Sequence, residues 1–516
     1  MSKRLTRIVL VILALVPFAV GVAGYLAAGE PLNDALYGAL ALYYVNPVSD
    51  AHNAAIEFAR WTGPLVLATA ILCIISQYGT RFLFNMLGLR RNAVALYTPP
   101  EAAASRKSRD RTQGKKRLRE IWAASCGNLI ISTARRHVIA LGTDQESLRF
   151  YHEHRAQLRG SEIYIAVSDL EYGLMTAASL QDDDERGGVM FFDVYGTVAH
   201  DLWLNRIRLW EQRAEEPKKA PVRILIIGEG RLTESVLEQG LLLNLLSMRQ
   251  KVLYTVAGDH ELFVRSHGGE TEWTADSPAF PLGNCDKVSF VSAEGFWDTA
   301  PDADIIIVAE EVSPAKLQAI GAVNRHARIY YYAPENDSPI ACTVLPMEPF
   351  GSQDILFNAD EICRPEHVQA AKLLHHNNFA VDELTDPLQP SSDPDDSVLL
   401  REWRDLDNFT QWSNIASVDF QREMITILRA HDTELRYDRP SAEEIGEMEH
   451  IRWCRLHYLN YWSYDPEGSG RDEQKRTHPR LCQFKDLDGD SKSKNSRIGE
   501  HCIREAAGTE GLEREL

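Results

Sequence analysis

Hydrophobic periodicity changes character several times along the chain. Residues 8–28 (IVLVILALVPFAVGVAGYLAA) are an uncharged run of 21, and residues 61–80 a second of 20. Each is long enough to cross a bilayer as a helix. Between them, 35–45 (ALYGALALYYV) is apolar but too short to span, which predicts an interfacial or re-entrant helix. From about residue 126 short apolar runs alternate with helical periods. His137–Leu141, Ile163–Val167 and Val189–Val194 read as strands, with a helix through Leu148 and Tyr151. Val222–Ile227, Val252–Val256, Val288–Val291, Ile305–Val308 and Ile329–Tyr332 read as five more, with a helix over 314–325. Alternating strand and helix predicts parallel sheets and an α/β fold.

The remainder reads as helix. Residues 383–397 (ELTDPLQPSSDPDDS) are a Pro-, Ser- and Asp-rich linker, and 398–436 is helical. Glu444–Tyr461 predicts an amphipathic helix with apolar or aromatic residues at 445, 448, 453, 456 and 459. The expected organisation is a membrane hairpin (1–95), a basic connector (96–125) and two α/β units (126–215 and 220–380). The linker, a helical connector (398–436), a small domain (437–502) and a tail (503–516) follow.

Charge sets the expected topology. Lys3, Arg4 and Arg7 precede the first run, and ten basic residues from Arg81 to Arg117 follow the second. The loop between them carries Glu30, Asp34, Asp50 and Glu57 against Arg60. Both termini are therefore expected in the cytoplasm, with the protein in the inner (plasma) membrane. A cleaved signal peptide competes for the first run, but its apolar part exceeds a usual signal core. A net charge of −19 argues against a nucleic-acid binder, which normally presents a basic face. The 8 cysteines are scattered without CxxC pairs, so neither a disulfide frame nor a metal site is expected.

The strand Val222–Ile227 runs into Gly228-Glu229-Gly230 and a helix, and the next strand ends at Asp259. Gly228 suits the tight turn, Gly230 lets backbone approach a phosphate at the helix N-terminus, and Asp259 stands where a ribose hydroxyl is read. Thr233 replaces the third glycine of that fingerprint. Two readings stay open: a dinucleotide site, for NAD(H) or another adenine nucleotide, or a fold that has lost its ligand. No GxSxG, HExxH or GxxxxGK[ST] occurs, and His200, His260 and His326 are isolated, so no catalytic group is assigned.

ILIIGEGR at 224–231, Asp259 and DADIIIVA at 302–309 together resemble the nucleotide-binding regulatory domains of potassium channels and Trk-type transporters, the RCK family. The resemblance implies tandem Rossmann-like units that bind a nucleotide or an ion and relay this to a membrane pore. Two spans around a half-buried segment fit such a pore, but no TVGYG filter is present and Tyr43-Tyr44-Val45-Asn46-Pro47 sits there instead. A plain membrane anchor fits equally.

The C-terminal stretch resembles the RyR domain of ryanodine receptors and bacterial proteins. The match is Glu449-His450-x-x-Trp453, Trp462-x-Tyr464, Lys475-x-x-His478-Pro479-x-Leu481, then Phe484, Leu487 and Asn495. Glycines usual around the W-x-Y are Tyr461 and Asp465 here. Glu449, His450, Trp453, Trp462, Tyr464, Lys475 and His478 are the candidate ligand residues; for the aromatics, a core role competes. The expected whole is a membrane-embedded, homo-oligomeric ligand sensor, a tetramer in the pore reading. The rivals are an anchored scaffold whose RyR domain binds a partner and a nucleotide-processing enzyme.

Overall fold

The computed structural model describes residues 3–44, 50–68, 94–98, 120–122, 134–158, 160–168, 188–210, 221–245, 247–248, 251–334, 347–352, 359–377, 396–431 and 440–508. They fall into two compact units, Met1–Arg91 with Ile131–Thr133, and the rest of the chain.

In the first unit, α1 (Lys3–Ala27), α2 (Leu32–Ala41) and α3 (54–68) pack through small residues. A Cβ on Gly21 would stand 3.1 Å from that of Ala39 and 3.3 Å from that of Ala59, so the backbones approach closely. Asn53 donates to the Gly24 carbonyl at 2.7 Å. Tyr25, Leu42 and Ile56 form a small buried cluster with Ala35 and Ala59, but Leu36, Tyr37, Leu40, Phe58, Leu65 and Trp61 face outward, the last 78% exposed. That much exposed apolar surface departs from the pattern of a bundle that buries its apolar residues in itself.

The two expected spans are not shown. Among the described residues no helix is long and apolar enough to cross a membrane. Of the first run, side chains are described only from Leu15, a stretch too short to span by itself. Residues 69–80 of the second run lie outside the described residues, as do 99–119 of the basic connector and 378–395, which hold most of the expected linker.

The second unit opens on a five-stranded, wholly parallel sheet in the order β2-β1-β3-β4-β5. Its strands are β1 (Val94–Tyr97), β2 (Glu120–Trp122), β3 (Arg136–Ile139), β4 (Glu162–Val167) and β5 (Val189–Asp193). The helices α4 (Asp144–Leu158) and α5 (Val194–Asp201) accompany it. This α/β unit therefore starts at Val94, inside the stretch read as membrane hairpin and connector. Two strands of four and three residues, far apart in sequence, carry too little period to be read alone.

The second sheet is built from β6 (Val222–Ile227), β7 (Val252–Ala257), β8 (Glu272–Trp273), β9 (Lys287–Val291), β10 (Ile305–Val308), β11 (Arg328–Tyr332) and β12 (Met347–Phe350). Its order is β12-β11-β10-β6-β7-β9-β8, with β8 alone antiparallel. The parallel strands follow the order of doubly wound dinucleotide-binding sheets, which reverses beside β6. Helices α6 (Arg231–Leu243), α7 (Glu261–Ser266) and α8 (Pro314–Val323) connect them. Both sheets are buried on two faces, which is why their strands are continuous apolar runs.

A helical layer joins the two sheets: α9 (Pro365–His375), α10 (Asp396–Asp405), α11 (Asn408–His431), α12 (Ala442–Leu459) and α13 (Gly489–Gly508). The short β13 (Ser463–Tyr464) and β14 (Thr477–His478) pair between α12 and α13. The α11 side chains close the edge of β5. Asn408 donates to Val189 O at 2.9 Å and accepts from Phe191 N at 3.2 Å, and Trp412 donates to Phe191 O at 2.8 Å. On α12, Arg455 reaches the second sheet. Its guanidinium donates to Leu282 O (3.0 Å), Leu241 O (2.9 Å), Asn284 Oδ1 (2.7 Å) and Asp286 Oδ2 (3.0 Å).

Helix α12 starts at a capping box, Ser441 with Glu444. It is not amphipathic as expected. Glu449, His450, Arg452, Arg455 and His457 are buried along with its apolar residues, because α11, α13 and the second sheet surround it.

Candidate functional site

A cavity of about 320 Å³ lies between α11, α12, α13 and the loop that carries β14. One face of α11 contributes Phe409, Thr410, Ser413, Asn414 and Ser417, at helical spacing. Helix α12 contributes Glu449, His450, Arg452, Trp453 and His457. The loop adds Arg471, His478 and Arg480, and α13 adds Lys494 and Asn495. The lining thus carries the cations Arg452, Arg471, Arg480 and Lys494 against the single carboxylate Glu449. Each of these cations is ion-paired: Arg452 with Glu449, Arg471 with Asp407, Arg480 with Asp488 and Lys494 with Asp490.

Arg452 sits deepest, its side chain 1% exposed. Nε and Nη2 donate to the Glu449 carboxylate at 2.7 and 2.9 Å, a two-pronged pair that fixes the guanidinium plane. Nη1 is buried without a hydrogen-bond partner. A buried charged donor left in that state costs about 1–3 kcal/mol or more.

Around it stand aromatic and imidazole rings. Trp453 lies 3.9 Å from His457 and 5.1 Å from His478, centroid to centroid, the latter edge-on. All three histidines are held neutral. Burial lowers His450 and pushes His457 well down. Burial, then the Arg480 charge, takes His478 to about 4. Their partners fix the tautomers. His478 Nδ1 accepts from Arg480 N (3.0 Å), leaving its proton on Nε2. His457 Nδ1 donates to Trp453 O at 2.8 Å, leaving Nε2 as an acceptor. His450 donates through Nε2 to Cys482 O at 2.8 Å.

Of the seven residues expected from the RyR-like pattern, Glu449, His450, Trp453 and His478 meet at this cavity. The other three do not line it. Trp462 is core: it stacks on Phe409 at 5.5 Å, with the Arg471 guanidinium 5.0 Å above its ring. Tyr464 is 49% exposed on β13. Lys475 lies on the polar loop and pairs with Asp472 at 3.3 Å. Tyr461, where the pattern has glycine, does hold a left-handed backbone (φ 61°), and its ring stacks on His267 at 4.9 Å. Sequence reading missed Arg452, Arg471, Arg480, His457 and Phe409. The available signal was Glu449 three residues before Arg452, a pair on one helical face amid buried positions.

The glycine turn after β6 takes the expected shape. Gly228 (φ 146°) and Gly230 (φ 76°) need glycine backbone, and nothing lies within 4 Å of a Cβ placed on Gly230. Gly230 caps α6 without a side-chain bond. Asp259, exposed at the end of β7, accepts from Glu261 N at 3.2 Å. His260 is not isolated: its Nε2 donates to Gly228 O at 3.0 Å. Arg231, the first residue of α6, is engaged by Asp193 (3.0 Å) and Glu238 (2.6 Å). Thr233, in place of the third glycine, is fully buried against Gly228.

A second buried charge cluster braces α11. Asp419 accepts from His200 (3.1 Å), Arg364 (2.9 Å) and His367 (2.5 Å). Burial alone raises a carboxyl, but the His200 and Arg364 charges hold Asp419 well below the usual range. Among the described residues no group of acidic, histidine and cysteine side chains has the arrangement of a metal site.

No family model matches the chain, and no curated protein matches it either.

Proposed function

We propose that this protein is a membrane-attached sensor for a small anionic ligand of the nucleotide type, bound in the C-terminal cavity. The observation that carries this reading is the cavity's chemistry: a buried, unpartnered guanidinium nitrogen beside aromatic and neutral imidazole walls. Planar anionic ligands match such a surface. The RyR-like pattern of Glu449, His450, Trp453 and His478 gives independent support, since those four positions fall on the same cavity.

The outward apolar faces of α1–α3 support attachment to a lipid bilayer through the N-terminal unit. Two spans, an oligomeric pore and cytoplasmic placement of the cavity belong to the same reading, as does its RCK-like relay. A sensor works only when its ligand binds one state of the responding module better than another. A second, nucleotide-binding role for Gly228, Gly230 and Asp259 is favoured by the uncapped N-terminus of α6 at the reversal of strand order.

The test is thermal shift of the full chain against nucleosides, nucleotides and NAD(P)(H). Binding to the native state gives stabilisation that grows with ligand concentration. It should persist in Gly230→Asp and vanish in His478→Ala if the C-terminal cavity is the site. Absence of any shift would move the assignment to an anchored interaction protein.

A further inference from the structure

The geometry of Arg452 narrows the ligand class. Glu449 holds Nε and Nη2, so the guanidinium cannot rotate, and Nη1 presents its N–H groups in a fixed direction. That nitrogen is buried and unpartnered on a side chain that lines the cavity. A neutral acceptor would satisfy its geometry, but an anionic oxygen makes the stronger, charge-assisted bond to a guanidinium. Arg471, Arg480 and Lys494 also line the cavity, each already paired with a carboxylate, Asp407, Asp488 and Asp490. The group that belongs at Nη1 is therefore an anionic oxygen, and a phosphoryl group offers several at once.

The rest of the cavity is chemically different. His478 offers an N–H at Nε2 and His457 a lone pair at Nε2, both uncharged, beside the Trp453 ring. Such a wall suits the hydroxyls and ring edges of a nucleoside, and adds little for a second or third phosphate.

Resting on the receptor reading above, we infer that the cavity takes a nucleoside monophosphate group, free or as one end of a larger nucleotide, with a phosphate oxygen on Arg452 Nη1. The nucleoside part lies against Trp453, His457 and His478. Glu449 is a positioning residue: it aims the arginine and does not touch the ligand.

Isothermal titration of the purified full chain in detergent tests this, using AMP, GMP, CMP and UMP, the four matched nucleosides, and inorganic phosphate. The preferred monophosphate should bind at least about tenfold more tightly than its nucleoside, the worth of one charge-assisted hydrogen bond. Inorganic phosphate should compete only weakly. Arg452→Met leaves Glu449 buried and unpaired and can fail to fold. Two further variants avoid that: Arg452→Lys, which keeps the charge without the fork, and the neutral pair Glu449→Gln with Arg452→Met. In both, the preference for monophosphate over nucleoside should fall below about threefold. Equal binding of nucleoside and monophosphate, or a preference that survives in the neutral pair, overturns the assignment while leaving the receptor reading in place. No binding by any member of the panel overturns both.

Discussion

Arg455 is the residue whose loss should most sharply separate the C-terminal helices from the second sheet. Its side chain is 1% exposed and that of Asp286 is 2% exposed, and they meet at 3.0 Å. The same guanidinium satisfies the carbonyls of Leu241 and Leu282, at the end of α6 and before β9. Asp286 also accepts from Val252 N at 2.9 Å, so the pair is tied into the start of β7. Arg455→Met keeps most of the volume and removes the charge. Asp286 is then left buried with only neutral donors, and two backbone carbonyls lose a partner. Breaking one side of a buried pair costs about 3–5 kcal/mol, a large fraction of the stability of any domain. Equilibrium urea unfolding followed by tryptophan fluorescence reads this directly, since Trp273, Trp453 and Trp462 lie in or beside the affected core. Asp286→Asn, alone and combined with Arg455→Met, completes a double-mutant cycle. The two should couple by at least about 1.5 kcal/mol, because each removes the same ion pair. A cost below about 1 kcal/mol for Arg455→Met, or additive single effects, would show that this contact does not hold the layers together.

Gly258→Ala should destabilise strongly, by about 2 kcal/mol or more, because the added Cβ would collide with the Gly228 carbonyl and φ is 158°; melting temperature checks it, and Gly230→Ala, in open space, should cost less. Acid should weaken the fold through histidines that burial keeps neutral. His137 and His478 fall to about 4 when folded and His457 lies well below its ordinary value, so the unfolded chain takes up their protons first. Stability is then full above about pH 6.5 and declines toward pH 4, each histidine contributing up to about 1.4 kcal/mol per pH unit. A flat urea-midpoint profile across that window contradicts this. Trp61→Ser with Leu65→Ser, at sites 78% and 67% exposed, should lower co-flotation with lipid vesicles several-fold without lowering the melting temperature. Unchanged flotation would assign those faces another occupant.

The sequence by itself determined the elements that have a strong local period. The strands from β3 to β11 that carry continuous apolar runs, the glycine turn after β6 and the helix of the C-terminal module were legible, because burial on two faces writes itself into consecutive residues. The residue types Glu449, His450, Trp453 and His478 at their spacing marked the cavity's helix and loop.

Tertiary structure decided the rest. Strands β1 and β2 owe their existence to pairing with each other across the 22 residues between Tyr97 and Glu120, which no local window contains. Which face of α12 is solvent and which is core could not be read, because the helix has packing partners on several sides and buries its charged residues in pairs. The same fact hid Arg452. In sequence, Arg452 looks like Arg455 on the same helix and Arg471 on the loop beyond it. In the fold, Arg455 is spent on bonding to the second sheet and Arg471 on Asp407 and two aromatic rings. Of these three, Arg452 alone is both buried and left with an unpartnered nitrogen, and that distinction exists only once the chain has folded around it.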